Sequence, residues 1–302
     1  MLVDNRGSVV RLLLWQWRNV LIFIISGTVV ATMRIVLEWE WLQLPIVPMS
    51  IVGAALGIFV SFRTNSAYDR WWEGRKLWGR MINTSRHFAT EVLTLIPSEG
   101  GEVSEVQLTL VMRHVAYVHA LRVLLRLQDP NKDADLQRTL RDDEKAWTAQ
   151  SNLTHALLHE QQRTLAALAD KGTIGEMRLH SMDLSIAKLL DIQGGCERIK
   201  KTPLPRGYGF IAERLILAFG ILFPITLAHQ LGWVVIPVNV LVCLSFALIS
   251  EAGRVLEDPF NMFWNGLPLT QISRMIEVNV RERMGDTDLV PIPKPDENGI
   301  LM

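Results

Sequence analysis

The sequence predicts an all-α integral membrane protein with four membrane-spanning helices and a large helical region outside the membrane. Three features of the 302-residue chain predict this fold class: two apolar runs within residues 1–62, a polar stretch at residues 63–214, and an apolar run at residues 215–250 without Asp, Glu, Lys or Arg. An apolar helix of about 20 residues crosses a hydrocarbon core of roughly 30 Å. We therefore divide the chain into four parts, which are residues 1–62, 63–210, 211–252 and 253–302.

The first two spans are predicted at residues 19–37 and 44–62. Tryptophans flank the first span on both sides, as in the aromatic belts of membrane proteins: Trp15, Trp17, Trp39 and Trp41. The second span carries no charge and begins with two prolines, which helices tolerate in their first turn. The basic start of the chain resembles a signal peptide, but the residues before Trp39 form a poor cleavage site, so we expect a retained span.

The polar stretch predicts amphipathic helices in four segments, which are residues 67–96, 104–129, 142–171 and 173–193. Ser104 and Gln107 have the spacing of a capping box at the start of the second segment. In that segment one apolar face is predicted, formed by Leu108, Val111, Val115, Val118 and Leu125. The glycine pair at residues 194–195 is expected to end the fourth segment.

The apolar run at residues 215–250 is too long for one span, because a single helix of that length would extend roughly 54 Å. A break at residues 229–232 divides it into the third and fourth spans. A further polar helix is predicted at residues 269–284. Basic residues concentrate just after the second span and just before the third. The positive-inside rule then places both termini and the long middle region in the cytoplasm of a multi-pass inner-membrane protein.

The composition excludes several classes of protein. The chain is 49% hydrophobic and 21% charged, which fits a membrane part joined to a water-exposed part. Its 31 basic residues balance 31 acidic ones, so no net charge attracts it to nucleic acid. Two cysteines are too few for a disulfide framework. No Walker loop, His-Glu-x-x-His motif or nucleophile elbow is present, so we expect neither an enzyme nor a cofactor.

Ala54, Ile58 and Phe62 form one stripe on the second span because they are four residues apart. Gly53 and Gly57 lie beside that stripe, and small residues let helices approach closely in lipid. The stripe is consistent with a helix that lines a pore between copies of the chain. It is also consistent with a helix that packs against lipid or a neighbouring helix, and periodicity alone favours this second interpretation.

Two sets of polar residues have alternative interpretations. Four acidic side chains can line a vestibule that attracts cations, or can pair with nearby arginines, and the sequence favours neither: Asp69, Glu73, Glu257 and Asp258. His155 and His159, four residues apart on a helix, can share a metal ion. Because no third ligand is evident, an exposed helix face is the favoured interpretation, and no metal site is expected.

Three blocks of sequence resemble the signature of the bestrophin family, in its bacterial branch. They are RTNSAYDRWWEGRKLWG at residues 63–79, GGCER at 194–198 followed by TPLP at 202–205, and LEDPF at 256–260 followed by LPL at 267–269. The blocks keep the family's order and its relation to the four spans. The resemblance covers most of the chain and is weakest at residues 98–172.

The resemblance implies a homopentamer in the lipid bilayer that passively conducts small monovalent ions, with chloride suggested by the animal members and cations also open. It implies that Ala54, Ile58 and Phe62 face the pore axis as a hydrophobic neck, although Ala54 is smaller than the bulky residue usual at its position. Met177 falls near a second, cytoplasmic constriction by spacing. Animal bestrophins carry an acidic calcium-binding cluster after their Pro-Phe pair. None follows Phe260, so activation of that type is not expected.

Two alternatives remain open at this point. A membrane-anchored helical scaffold or signalling protein would have no permeation path, and its second span would face lipid or another helix. A transporter is disfavoured because the four spans contain neither buried charges nor pairs of broken helices. The oligomeric state distinguishes the scaffold from the channel, since a scaffold needs no closed ring.

Overall fold

The computed structural model describes residues 14–98, 102–297 and 299–301, and the elements within these ranges are helical. The α-helices are α1 (Trp17–Ile35), α2 (Ile46–Leu95), α3 (Glu105–Leu125), α4 (Ala134–Thr139), α5 (Asp142–Lys145), α6 (Leu153–Asp170), α7 (Glu176–Lys201), α8 (Arg206–Leu231), α9 (Val235–Leu256) and α10 (Leu269–Arg283). The predicted all-α class is confirmed. The described residues form two compact units, which we call the apolar unit (residues 14–71 and 203–257) and the polar unit (residues 72–98, 102–202, 258–297 and 299–301).

The apolar unit contains the four predicted spans. Helices α1, α8 and α9 pack on one another, and the first part of α2 joins their core at Leu56 and Val60. The charge-free run is divided where predicted, because α8 ends at Leu231 and Gly232 turns the chain with a positive φ of 54°. Residues on the outer faces of these helices are mostly large and apolar, as expected for helices surrounded by lipid.

Helix α3 is also long and apolar enough to cross a membrane, but its surroundings give it another role. In its most apolar stretch 78% of the residues are buried, against 22% in the corresponding stretches of the candidate spans in the apolar unit. The single apolar face predicted for this helix is wrong, because Leu108 is 46% exposed and the residues from Leu110 to Leu125 are buried almost all round. The predicted capping box of Ser104 and Gln107 is present. Helix α3 is therefore the central helix of the polar unit.

The second span and the first polar helix were predicted as separate elements, and this division is wrong. Helix α2 runs unbroken for 50 residues, roughly 75 Å. No glycine or proline interrupts the change from apolar to polar sequence. The hydroxyls of Thr64 and Ser66 donate to the carbonyls of Val60 and Phe62, one turn back, so these polar side chains are accommodated within the helix.

Two other helix boundaries differ from the prediction. Helix α7 continues through the glycine pair at residues 194–195 to Lys201. A Cβ atom on Gly195 would lie 2.8 Å from Leu77 Cδ2, so this glycine permits close packing and does not end the helix. The segment predicted at residues 142–171 forms a long helix only from Leu153, where the side chain of Asn152 accepts from the His155 amide and caps the first turn.

His114 makes the polar unit sensitive to acid. Its ring lies inside the unit, with centroids 5.2 Å from Phe88 and 5.9 Å from Tyr117, and neither ring nitrogen has a hydrogen-bond partner among the described residues. Burial lowers the pKa of His114 from 6.5 to about 4. The unfolded chain therefore binds a proton at a higher pH than the folded one. The contribution of neutral His114 to the free energy of unfolding is complete above pH 6.5 and is lost as the pH falls toward 4.

His114→Phe should make the free energy of unfolding less dependent on pH between 6.5 and 4. In the wild-type protein, protonation of this histidine lowers that free energy by about 3 kcal/mol over the same range. Thermal unfolding of the purified protein at pH 7.5, 6 and 5 measures the effect. His155→Phe, the same change on an exposed helix face, is the matched control. Equal pH slopes in wild type and His114→Phe would contradict the prediction.

Candidate functional site

Helix α2 buries one face in the apolar unit and leaves the other uncovered. Leu56 and Val60 are 3% and 1% exposed and pack with residues of α8 and α9. Gly53 and Gly57 border this buried face, since Cβ atoms added to them would lie 3.2 Å and 3.5 Å from the rings of Phe219 and Phe246. The two glycines therefore serve packing within one chain.

The predicted stripe lies on the uncovered face. Ile58 and Phe62 are 59% and 69% exposed, and Ala54 is exposed beside them. Together with Ser61 and Asn65 they line a shallow groove along the helix. Ile58 is two residues from Val60, about 200° around the helix at 3.6 residues per turn, which explains why one is outside and the other inside.

Arg63 anchors α2 to α9 directly after the stripe. Its side chain is only 4% exposed; Nη1 donates to Ser250 Oγ at 3.0 Å and Nη2 donates to Glu257 Oε1 at 3.0 Å. The Thr64 hydroxyl lies between the carbonyls of Val60 and Ile249, at 2.9 Å and 3.1 Å, and its single proton is shared between them. The sequence prediction missed this contact. The sequence feature that could have indicated it is an arginine next to an uncharged span, together with a carboxylate near the end of the fourth span.

The four acidic candidates have different environments. Three form ion pairs, namely Glu257 with Arg63, Glu73 with Arg198, and Asp258 with Lys200. Asp69 is exposed and has no ion pair or hydrogen bond with any residue that the structure describes. It follows Phe62 by seven residues on α2, which is two helical turns, and so lies on the same face as the stripe.

The remaining candidates lie in the polar unit. Met177 is the second residue of α7 and is 83% exposed. His155 and His159 have ring centroids 6.5 Å apart. No group of three or more His, Cys, Asp or Glu side chains is arranged to hold a metal ion in the described parts of the chain.

Comparisons with known proteins place this geometry in context. A family model described as Bacterial/Fungal Bestrophin protein matches residues 1–282. A voltage-dependent anion channel-forming protein of Mesorhizobium japonicum is 33% identical over 294 residues, covering 95% of this chain and 90% of the relative. One of the same description from Salmonella typhi is 30% identical over 283 residues, covering 93% and 90%. A solved bacterial bestrophin homologue from Klebsiella pneumoniae has a TM-score of 0.82 and 28% identity, covering 88% of this chain and 97% of that one.

Proposed function

Because this chain belongs to the bacterial and fungal bestrophin family, we propose that it is an ion channel whose pore is lined by the uncovered stripe of α2. The observation that carries the proposal is the arrangement of α2, which buries Leu56 and Val60 and presents Ile58 and Phe62 outward. The relatives are named for anion channel formation, so anions are the expected permeant ions. Such a protein moves ions passively and is not an enzyme.

The proposed neck works by excluding water. Around a symmetry axis, each residue of the stripe becomes a ring of identical side chains, and Ile58 and Phe62 form the apolar rings. A narrow apolar ring holds a water column poorly, so ions pass only when the ring wets or widens. The small Ala54 ring constricts the pore least. Met177, exposed on α7, is the candidate for a second ring in the polar unit.

A closed ring of copies is needed because the stripe of one chain cannot enclose a pore. We propose a homopentamer, with the number five taken from the family resemblance. The exposed apolar side chains of the four spans then divide between contacts with lipid and contacts with other copies. The proposed location is the inner membrane, with both termini in the cytoplasm.

Asp69 is the acidic candidate best placed to influence ions in the pore. Ion pairing within the chain offsets the charges of Glu73, Glu257 and Asp258, whereas Asp69 is exposed on the face of the stripe. It stands two turns, roughly 11 Å, from Phe62 along the helix. That distance is close to the screening length of roughly 8 Å at physiological salt, so its field is weak but present at the neck. A ring of these carboxylates would disfavour anions.

The rival function is a membrane-anchored scaffold without a permeation path. In a scaffold, the uncovered face of α2 would contact lipid, and no closed ring of copies would be required. The same exposure of Ile58 and Phe62 fits that arrangement in a single chain. The two functions therefore differ in oligomeric state and conductance.

Purified protein should scatter light as a pentamer and should conduct ions in planar bilayers with a KCl gradient. Asp69→Asn should shift the reversal potential toward the chloride equilibrium potential, because it removes a ring of negative charge. Asp170→Asn, at an exposed position on α6, is the matched control. A monomer or dimer without current would contradict the channel. An unshifted reversal potential in Asp69→Asn would contradict only the role of Asp69.

A further inference from the structure

Arg63 holds α2 by the face that points away from the stripe. It follows Phe62 directly in sequence, yet its guanidinium points inward. It donates hydrogen bonds to Ser250 on α9 and to Glu257, the residue directly after α9. A buried guanidinium is costly unless it is paired and hydrogen-bonded. Rotation of α2 about its own axis would break both contacts and leave this charge unpaired, so the contacts oppose rotation.

Two glycines allow close packing around Arg63 and Thr64, which supports these contacts. A Cβ atom on Gly209 would lie 2.9 Å from Arg63 Nη2, so this glycine makes room for the guanidinium. A Cβ atom on Gly253 would lie 2.9 Å from Thr64 Oγ1 and 3.2 Å from Thr64 Cα, so the backbones of α2 and α9 approach closely at this point. Arg70 Nε adds a hydrogen bond to the carbonyl of Glu257 at 3.2 Å, two turns further along α2.

We infer that Arg63 is a positioning residue, which acts through Ser250 and Glu257 to fix the rotation of α2 and hence the width of the neck. The inference rests on the proposed function, because it requires Ile58 and Phe62 to face the pore. With side chains, a helix has a radius of roughly 5–6 Å, so a rotation of about 20° moves the tip of a stripe residue by roughly 2 Å. A displacement of this size in every copy changes the width of the ring enough to decide whether water enters it.

The test measures how fast a pore reagent reaches the neck. Ile58→Cys is introduced as the target, and current block by (2-sulfonatoethyl) methanethiosulfonate is followed in bilayers. The two native cysteines, Cys196 and Cys243, are fully buried, and wild type provides the background rate. The block rate is then measured in Ile58→Cys combined with Glu257→Ala, and in Ile58→Cys combined with Gly253→Ala. The second combination keeps every charge and changes only the fit between α2 and α9 at Thr64.

We expect the block rate to rise several-fold with Glu257→Ala and to change with Gly253→Ala. The exchange of charges in Arg63→Glu with Glu257→Arg should return the rate toward that of Ile58→Cys alone. Glu251→Ala, which removes an ion pair with Arg254 within α9, is the matched control and should leave the rate unchanged. These rates are measured on assembled channels, so a variant that merely folds less well lowers the number of channels and not the rate.

Two results would overturn the inference in distinguishable ways. If Ile58→Cys alone is never blocked, the neck is misplaced, and both the proposed function of the stripe and the role of Arg63 fail. If Ile58→Cys is blocked but neither Glu257→Ala nor Gly253→Ala changes the block rate from that of Ile58→Cys alone, the neck stands and the positioning role of Arg63 fails. If Glu257→Ala itself prevents assembly, Gly253→Ala decides the outcome.

Discussion

Truncation of Ile58 or Phe62 to alanine is expected to raise ion flux through the reconstituted channel. Each change removes several apolar atoms from every copy in the proposed ring, so the neck widens and wets more easily. Phe62 is the bulkier residue and lies nearer to the polar end of the span, so Phe62→Ala should have the larger effect. Flux into liposomes, normalised to the amount of assembled oligomer, measures the change.

Leu241→Ala is the matched control for the neck variants. Leu241 is 69% exposed on α9, so its truncation removes a similar amount of exposed apolar surface from another helix of the unit. It should leave flux unchanged. If Ile58 and Phe62 were instead buried against another helix in the membrane, their truncation would cost about 2–5 kcal/mol of stability without raising flux. Unchanged or lower flux in both neck variants, with intact oligomers, would refute the proposal that Ile58 and Phe62 form the gate.

Gly220→Ala is expected to destabilise the apolar unit strongly, because it adds a methyl group where α1 and α8 leave no space for one. A Cβ atom on Gly220 would lie 2.4 Å from Phe23 Cε1, and the Phe23 ring is fully buried, so a shift of this ring would disturb the residues packed around it. Pro224 also lacks the N–H that would bond to the Gly220 carbonyl. That carbonyl accepts instead from Ser26 Oγ at 2.9 Å and Asn239 Nδ2 at 3.1 Å. The methyl group would push α1 away from this junction.

The cost of overpacking at Gly220 should be about 1–3 kcal/mol, with a further loss from the strained hydrogen bonds. The midpoint of thermal unfolding in detergent should fall by several degrees. Gly57→Ala is the matched control, since its Cβ would lie 3.5 Å from Phe246, an ordinary contact distance. Equal midpoints for the two variants would show that α1 and α8 can separate at Gly220 without cost.

Local sequence was sufficient to predict the all-α class and the division of the charge-free run at Gly232, whereas the family came from the resemblance of three sequence blocks. Apolarity, helical period and the glycine turn are properties of neighbouring residues, so they can be read without knowing the fold. The stripe of Ala54, Ile58 and Phe62 was also predicted as one helix face. Its role as a neck stays a prediction, because a single chain leaves that face exposed in either arrangement.

Tertiary contacts decided the features that local sequence could not. Helix α3 was predicted to have one apolar face, but it is buried almost all round because other helices of the polar unit surround it. The glycine pair at residues 194–195 permits packing against Leu77 instead of ending a helix. Arg63 and Glu257 are 194 residues apart, so their pairing was undecided until the faces of α2 and α9 were known to meet. A sequence records which residues share a helix face, but which faces pack together depends on contacts between distant segments.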